Sequence, residues 1–170
     1  MKKSNPLKKS NPLAHAIKLL NIRPRAKEEL KQLLSDRNYS IEEIDQVISQ
    51  LVHLEYLNDL KFMESWCYFR QHISPRSRWY VRRELSEKGV SPYDIEEHYD
   101  KFYSEEEELN CLQRLIEKKL AKGNIQGINI KDGDHQKIIS ALLRKGFKHN
   151  MILDMFNQLE AKHLDIYRKK

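Results

Sequence analysis

The chain has 170 residues, 33% of them charged, with only five Gly and five Pro. No apolar run approaches the ~20 residues of a membrane span, and the basic N-terminus lacks the apolar core of a secretory signal, so a cytoplasmic protein is expected. The formal net charge of +6 makes an acidic partner plausible without identifying one.

Residues 2–13 contain Lys-Lys-Ser-Asn-Pro-Leu twice. Basic and Pro-broken, residues 1–12 are read as a disordered tail. Leu13 to Asn21 reads as a first short helix, with Leu13, Ala16, Ile17 and Leu20 on one face. Pro24 is expected to open the next helix, which carries Leu30, Leu33 and Leu34. Ser40 and Glu43 form a capping box at the start of a third helix, which turns Ile44, Val47, Ile48 and Leu51 inward.

Tyr56-Leu57-Asn58-Asp59 is the joint to a second unit, with Asn58 or Asp59 capping the helix from Leu60 to His72. That helix holds Phe62, Met63, Trp66, Cys67, Tyr68 and Phe69, so burial on several sides is expected. From Ile73 to Tyr99 the pattern reads helix, Gly turn, helix. Gly89 ends the first of these helices. Ser91, Pro92 and Asp94 start the second. Ser104 and Glu107 form another capping box, followed by a helix through Leu109, Leu112, Leu115, Ile116 and Leu120. A Gly-rich insertion near 122–133 precedes a last helix pair from about Asp134 to Leu159 or beyond.

The unit recurs. Leu30, Leu34, Tyr39, Ile44 and Ile48 align with Val81, Leu85, Val90, Ile95 and Tyr99, and again with Ile138, Leu142, Phe147, Ile152 and Phe156. Asn38, Gly89 and Gly146 share the turn position, and Asn and Gly best tolerate positive φ. The expected fold is all-α: an elongated, curved array of three tandem three-helix bundles at 13–55, 56–103 and 104–165.

Charge is uneven along the chain. Residues 1–31 carry nine Lys/Arg against two Glu, and residues 91–108 carry eight Asp/Glu against one Lys. Cys67 and Cys111 lie in amphipathic patterns and are expected to be buried reduced thiols. No His has a partner at a recognised zinc spacing, and neither a Gly-rich phosphate loop nor a nucleophile motif occurs. No metal, cofactor or catalytic site is expected.

Positions that differ between repeats are the better candidates for function. Opposite Val81 and Leu85 lie Arg76, Trp79, Tyr80 and Arg83, while Arg78 and Arg82 flank the inward face. Arg interleaved with aromatics suits phosphate binding with base stacking, and equally a protein interface. The other reading has the aromatics packed on the neighbouring unit and the Arg solvated or paired with the Glu-rich stretch. Together with Arg70 and Lys88, these residues form the candidate partner- or nucleic-acid-binding set.

Several stretches resemble the RecX family of bacterial recombinase regulators. They are Ala16–Leu20, Glu29–Leu34, Tyr56–Phe62, Arg82–Ser91 and Leu142–Phe147 with Ile152. Their order and spacing cover residues 13 to 160. The resemblance implies a helical-repeat protein without catalytic activity or cofactor. Such a protein binds the RecA recombinase, lodges in the groove of its filament on single-stranded DNA, and lowers strand exchange, ATP turnover and co-protease activity. It also implies that Asp59 orders a helix start. Where the family carries Ser or Thr before the second helix, this chain has Ala26, which leaves that helix a weaker or displaced cap. A monomer is expected. The alternative is a stand-alone helical nucleic-acid-binding protein.

Overall fold

A computed structural model describes residues 11–123 and 133–168, with side chains for 11–121 and 133–161. The basic tail at 1–10 and most of the Gly-rich segment near 122–133 lie outside the described residues. The described residues form the helices α1 (Pro12–Ile22), α2 (Lys27–Ser35), α3 (Ile41–His53), α4 (Asp59–His72) and α5 (Arg78–Glu87), followed by α6 (Pro92–Phe102), α7 (Glu105–Gly123), α8 (Gly133–Leu143) and α9 (His149–Arg168). Among them there is no strand, and the fold is an all-α helical repeat.

All fifteen aligned apolar positions are buried, none more than 7% exposed. The turn positions also behave as a repeat. Asn38, Gly89 and Gly146 have φ of 61°, 81° and 90°. After α5, Val90 N–H bonds back to Leu85 O and Gly89 N–H to Ser86 O, and after α8 Phe147 and Gly146 do the same to Leu142 and Leu143. That pattern satisfies carbonyls that a helix C-terminus otherwise leaves orphaned.

The chain divides into two compact units. One runs to Ser65 and includes Leu85–Ile95; the other comprises Trp66–Glu84 and resumes at Glu96. In the first, Ala16, Leu30, Leu34, Tyr39, Ile44, Val47, Ile48, Leu51 and Leu57 form one core. In the second, Cys111, Leu112 and Ile116 of α7 join Ile138, Ile139 and Leu142 of α8 and Phe147, Ile152, Met155, Phe156 and Leu159. Both cysteines are free and buried, and burial pushes the Cys67 thiol up to about 12, so it stays protonated at neutral pH.

The capping boxes form as expected. Glu43 N–H donates to Ser40 Oγ at 3.2 Å, and Ser40 N–H to Glu43 Oε2 at 2.8 Å. At α7, Glu107 N–H donates to Ser104 Oγ at 3.2 Å and Ser104 N–H to Glu107 Oε2 at 2.6 Å.

The start of α2 is a correction. Pro24 does not open it; the helix begins at Lys27, and Ala26 at its N-cap offers no side-chain acceptor. The missing cap comes from α4. Asp59 Oδ1 accepts from Lys27 N–H at 2.8 Å. Asn58 Oδ1, not Asp59, caps α4 itself, accepting from Leu60 and Lys61 N–H at 2.9 and 3.1 Å. Asp59 therefore does order a helix start, but that of a helix 32 residues earlier. The same device recurs at α5, where Glu108 Oε1 of α7 accepts from Arg78 N–H at 2.8 Å.

A second correction concerns α4. Phe62, Met63 and Cys67 are buried, but Tyr68 is 60% and Phe69 37% exposed. At 100° per residue the buried three define one face, and Tyr68 turns away from it. The exposed ring is stacked on His72, with centroids 4.3 Å apart.

Candidate partner-binding site

The eight candidate residues fall into different environments. Arg70 is nearly neutralised in place. Its Nε and Nη2 donate to Glu84 Oε2 and Oε1 at 2.8 and 2.6 Å, and Trp66 Nε1 donates to the same carboxylate at 2.9 Å. The guanidinium lies 5.1 Å from the Trp66 centroid and 5.3 Å from that of Phe69. A bidentate pair with both side chains about 15% exposed belongs to the scaffold rather than to a binding surface.

Arg78 is likewise committed. Its Nε donates to Tyr103 O at 2.6 Å, its Nη2 pairs with Asp100, and its Nη1 lies 3.5 Å from Glu105. Its backbone is held too. Tyr99 OH donates to Arg78 O at 2.7 Å, and Tyr103 OH to Arg76 O at 2.8 Å. Both phenols are buried, which pushes their pKa values up and keeps them neutral donors. Pairing with the acidic stretch thus occurs at Arg78, and at Arg82, which pairs with Glu96 while remaining 44% exposed.

Arg76 precedes α5 rather than lying on it. Its Nη1 donates to Arg144 O at 3.2 Å and its guanidinium covers Tyr80 at 4.8 Å. Lys88 is half-buried just before the Gly89 turn, and its charge acts on Glu29.

Trp79 and Arg83 remain as the outward pair. Trp79 is 62% exposed, and the Arg83 guanidinium lies 5.8 Å from its ring centroid. Trp79 also walls a cleft of about 380 Å³. Arg78, Arg82 and Tyr99 share that wall, and Glu105, Glu108, Leu109, Gly146, Lys148 and Met151 complete the lining. Leu109 is 41% exposed and Lys148 is exposed. An open aromatic, two aliphatic groups and unburied cations in one concave surface suit a protein partner better than a small molecule.

Glu108 lies in this cleft and is 7% exposed. Burial pushes its carboxyl up from the usual carboxylate value, opposed by the Arg78 N–H bond and the charges of Arg78 and Lys148. Sequence reasoning missed the cleft's Lys148 and Met151, and Glu84 as the partner of Arg70. No helical period links Arg70 to a residue fourteen further on, and only the fold brings Met151 beside Trp79. Among the described residues no group of three His, Cys, Asp or Glu is arranged to hold a metal ion, and no helix is long and apolar enough to cross a membrane.

The family model described as RecX, first three-helix domain, matches residues 13–51, and that described as RecX, second three-helix domain, matches residues 58–98. A regulatory protein RecX from Leuconostoc mesenteroides is 27% identical over 139 residues, covering 82% of this chain and 51% of the relative. One from Bacillus cytotoxicus is 25% identical, covering 88% of this chain and 54% of the relative. The chain thus spans about half the length of these two relatives. One from Prosthecochloris aestuarii is 29% identical over 150 residues, covering 86% of this chain and 92% of the relative. The crystal structure of RecX from Lactobacillus salivarius shares the fold, with a TM-score of 0.69 at 22% identity over 90% of this chain and 97% of that one. A second RecX crystal structure gives a TM-score of 0.61 at 17% identity, over 86% of this chain and 71% of that one. Two successive three-helix domains, matched in order and on the same helices as the repeat derived above, place the chain among these proteins: it belongs to the RecX family.

Proposed function

We propose that this chain is a regulatory protein that binds the RecA recombinase on its single-stranded DNA filament and lowers its strand-exchange, ATPase and co-protease activities. The observation that carries this reading, within a RecX-family chain, is the exposed Trp79–Arg83 pair beside an open cleft. Trp and Arg supply much of the binding energy where proteins meet. Arg70 and Arg78 are held by carboxylates, Arg70 by Glu84 and Arg78 by Asp100. The regulator acts by occupancy, as a cytoplasmic monomer, and performs no bond-making step.

The test is the DNA-dependent ATPase of the cognate recombinase on single-stranded DNA, with the protein titrated in. Wild type is expected to slow it at amounts well below one per recombinase protomer. Trp79→Ala with Arg83→Ala is expected to raise the half-inhibiting concentration about tenfold or more. No inhibition by wild type, even in excess and at low salt, refutes the recombinase reading and favours stand-alone binding to nucleic acid.

A further inference from the structure

A second surface of the same unit carries cations that no carboxylate answers. It surrounds the C-terminal end of α4 and the turn that follows. Arg76 Nη1 is bonded to Arg144 O, Lys145 Nζ to Pro75 O at 3.1 Å, and Arg114 Nη2 to Gln71 O at 3.4 Å. Each bond uses a backbone carbonyl, which fixes the side chain but leaves its charge whole. Among the described residues, none of Arg76, Arg114, Lys119, Arg144 and Lys145 forms an ion pair.

The helix terminus explains part of this. The C-terminal end of a helix carries about half a negative charge, so one cation beside it is stabilised. Five cations exceed that by far. Their mutual repulsion is visible at Lys145, whose pKa is lowered by burial first and then by the charges of Arg76 and Lys119. The opposing influence on it comes from the Cys111 thiol. Cations grouped in this way favour an anion with several charges.

The neighbouring side chains indicate which anion. Arg76 is stacked on Tyr80, and on the last turns of α4 Tyr68 is 60%, Phe69 37% and Ile73, just beyond, 68% exposed. A cation stacked on an aromatic ring, with exposed aromatic and aliphatic side chains on the adjoining helix end, pairs phosphate charge with a platform for bases, the arrangement that holds a single strand without reading its sequence.

We propose that Arg76, Arg114, Lys119, Arg144 and Lys145 form a phosphodiester-binding surface for single-stranded nucleic acid, separate in composition from the Trp79–Arg83 pair and its cleft. The assignment rests on the functional reading above and divides its labour: the cleft contacts the recombinase, and this cluster contacts the strand.

The experiment uses a fluorescein-labelled dT oligonucleotide and the full chain without recombinase, read by anisotropy over a series of salt concentrations. About four phosphate contacts give a slope of log affinity against log salt near −3. Arg144→Gln with Lys119→Gln is the main variant, since neither side chain makes a bond that holds the fold. It is expected to weaken binding about tenfold or more at low salt and to reduce the slope by about 1.4. Lys18→Gln with Arg37→Gln removes two exposed charges from the first unit and is expected to change affinity less than about twofold.

Equal losses in both variants overturn the proposal, because they mean diffuse charge rather than a surface. So does wild type that fails to bind the oligonucleotide. A variant that binds the oligonucleotide normally but binds DNA-free recombinase more weakly also overturns it, and assigns the cluster to a protein contact. Wild-type inhibition of the recombinase ATPase, measured in parallel, tells failure of this assignment from failure of the regulatory reading.

Discussion

Asp59→Ala isolates the long-range cap of α2. Asp59 is 6% exposed and accepts the first N–H of a helix whose own N-cap residue, Ala26, offers no side-chain acceptor. Losing a helix cap costs about 1 kcal/mol, and leaving the Lys27 N–H short of an acceptor in a half-buried place adds about another 1 kcal/mol. The accompanying Lys27 ion pair, at 3.4 Å with Lys27 41% exposed, adds only a few tenths of a kcal/mol. The expected loss is about 2 kcal/mol, measured by urea unfolding at an unchanged m-value. Asp59→Asn keeps an acceptor oxygen and is expected to lose under about 1 kcal/mol. Ala26→Ser on the Asp59→Ala background restores a local cap, since Ala26 already has the extended backbone of an N-cap, and is expected to recover roughly half of the loss. A loss below about 0.5 kcal/mol for Asp59→Ala, or no recovery when Ala26→Ser is added to it, would refute the assignment of the cap.

Three further outcomes follow from the same geometry. Arg70→Gln should destabilise the protein by about 2–3 kcal/mol in urea while leaving recombinase inhibition by the folded fraction unchanged, because it strands a carboxylate that two side chains now satisfy. Gly89→Ala should cost about 3 kcal/mol, since φ is +81° and the added Cβ would sit 2.3 Å from Glu28 Cβ; a change under about 1 kcal/mol would show that α2 gives way there. Glu108 has its folded-state pKa above the usual 4.5, so the folded chain keeps a proton that the unfolded chain has released. Its contribution to stability is therefore present below pH 4.5 and lost as pH rises through the folded value. Urea stability of wild type relative to Glu108→Gln should fall across that window and be flat above it; a rise would reverse the assigned direction.

The repeat was legible because its determinants are local. Apolar residues at helical spacing, a residue that accepts positive φ after the helix, and Ser with Glu three places on need only a few neighbouring residues to act. All fifteen aligned apolar positions are buried accordingly, and Asn38, Gly89 and Gly146 take the left-handed conformation. The candidate surface was less legible. Arg70, Arg78 and Arg83 look alike along the chain, yet Glu84 and Asp100 engage the first two, while the third lies over an exposed Trp79. The error at Pro24 has the same origin, because a proline is a local signal and the start of α2 depends on Asp59, 32 residues away.

By itself, then, the sequence determined the helical repeat, its fifteen inward apolar positions, the turn position the three units share, and the family. Tertiary structure decided which carboxylate caps which helix, which cations are already neutralised, and where a cleft opens beside Trp79. The division follows from range: periodicity and turn chemistry act over a few residues, whereas the partner of a charge is whatever the folded chain brings within about 3 Å of it.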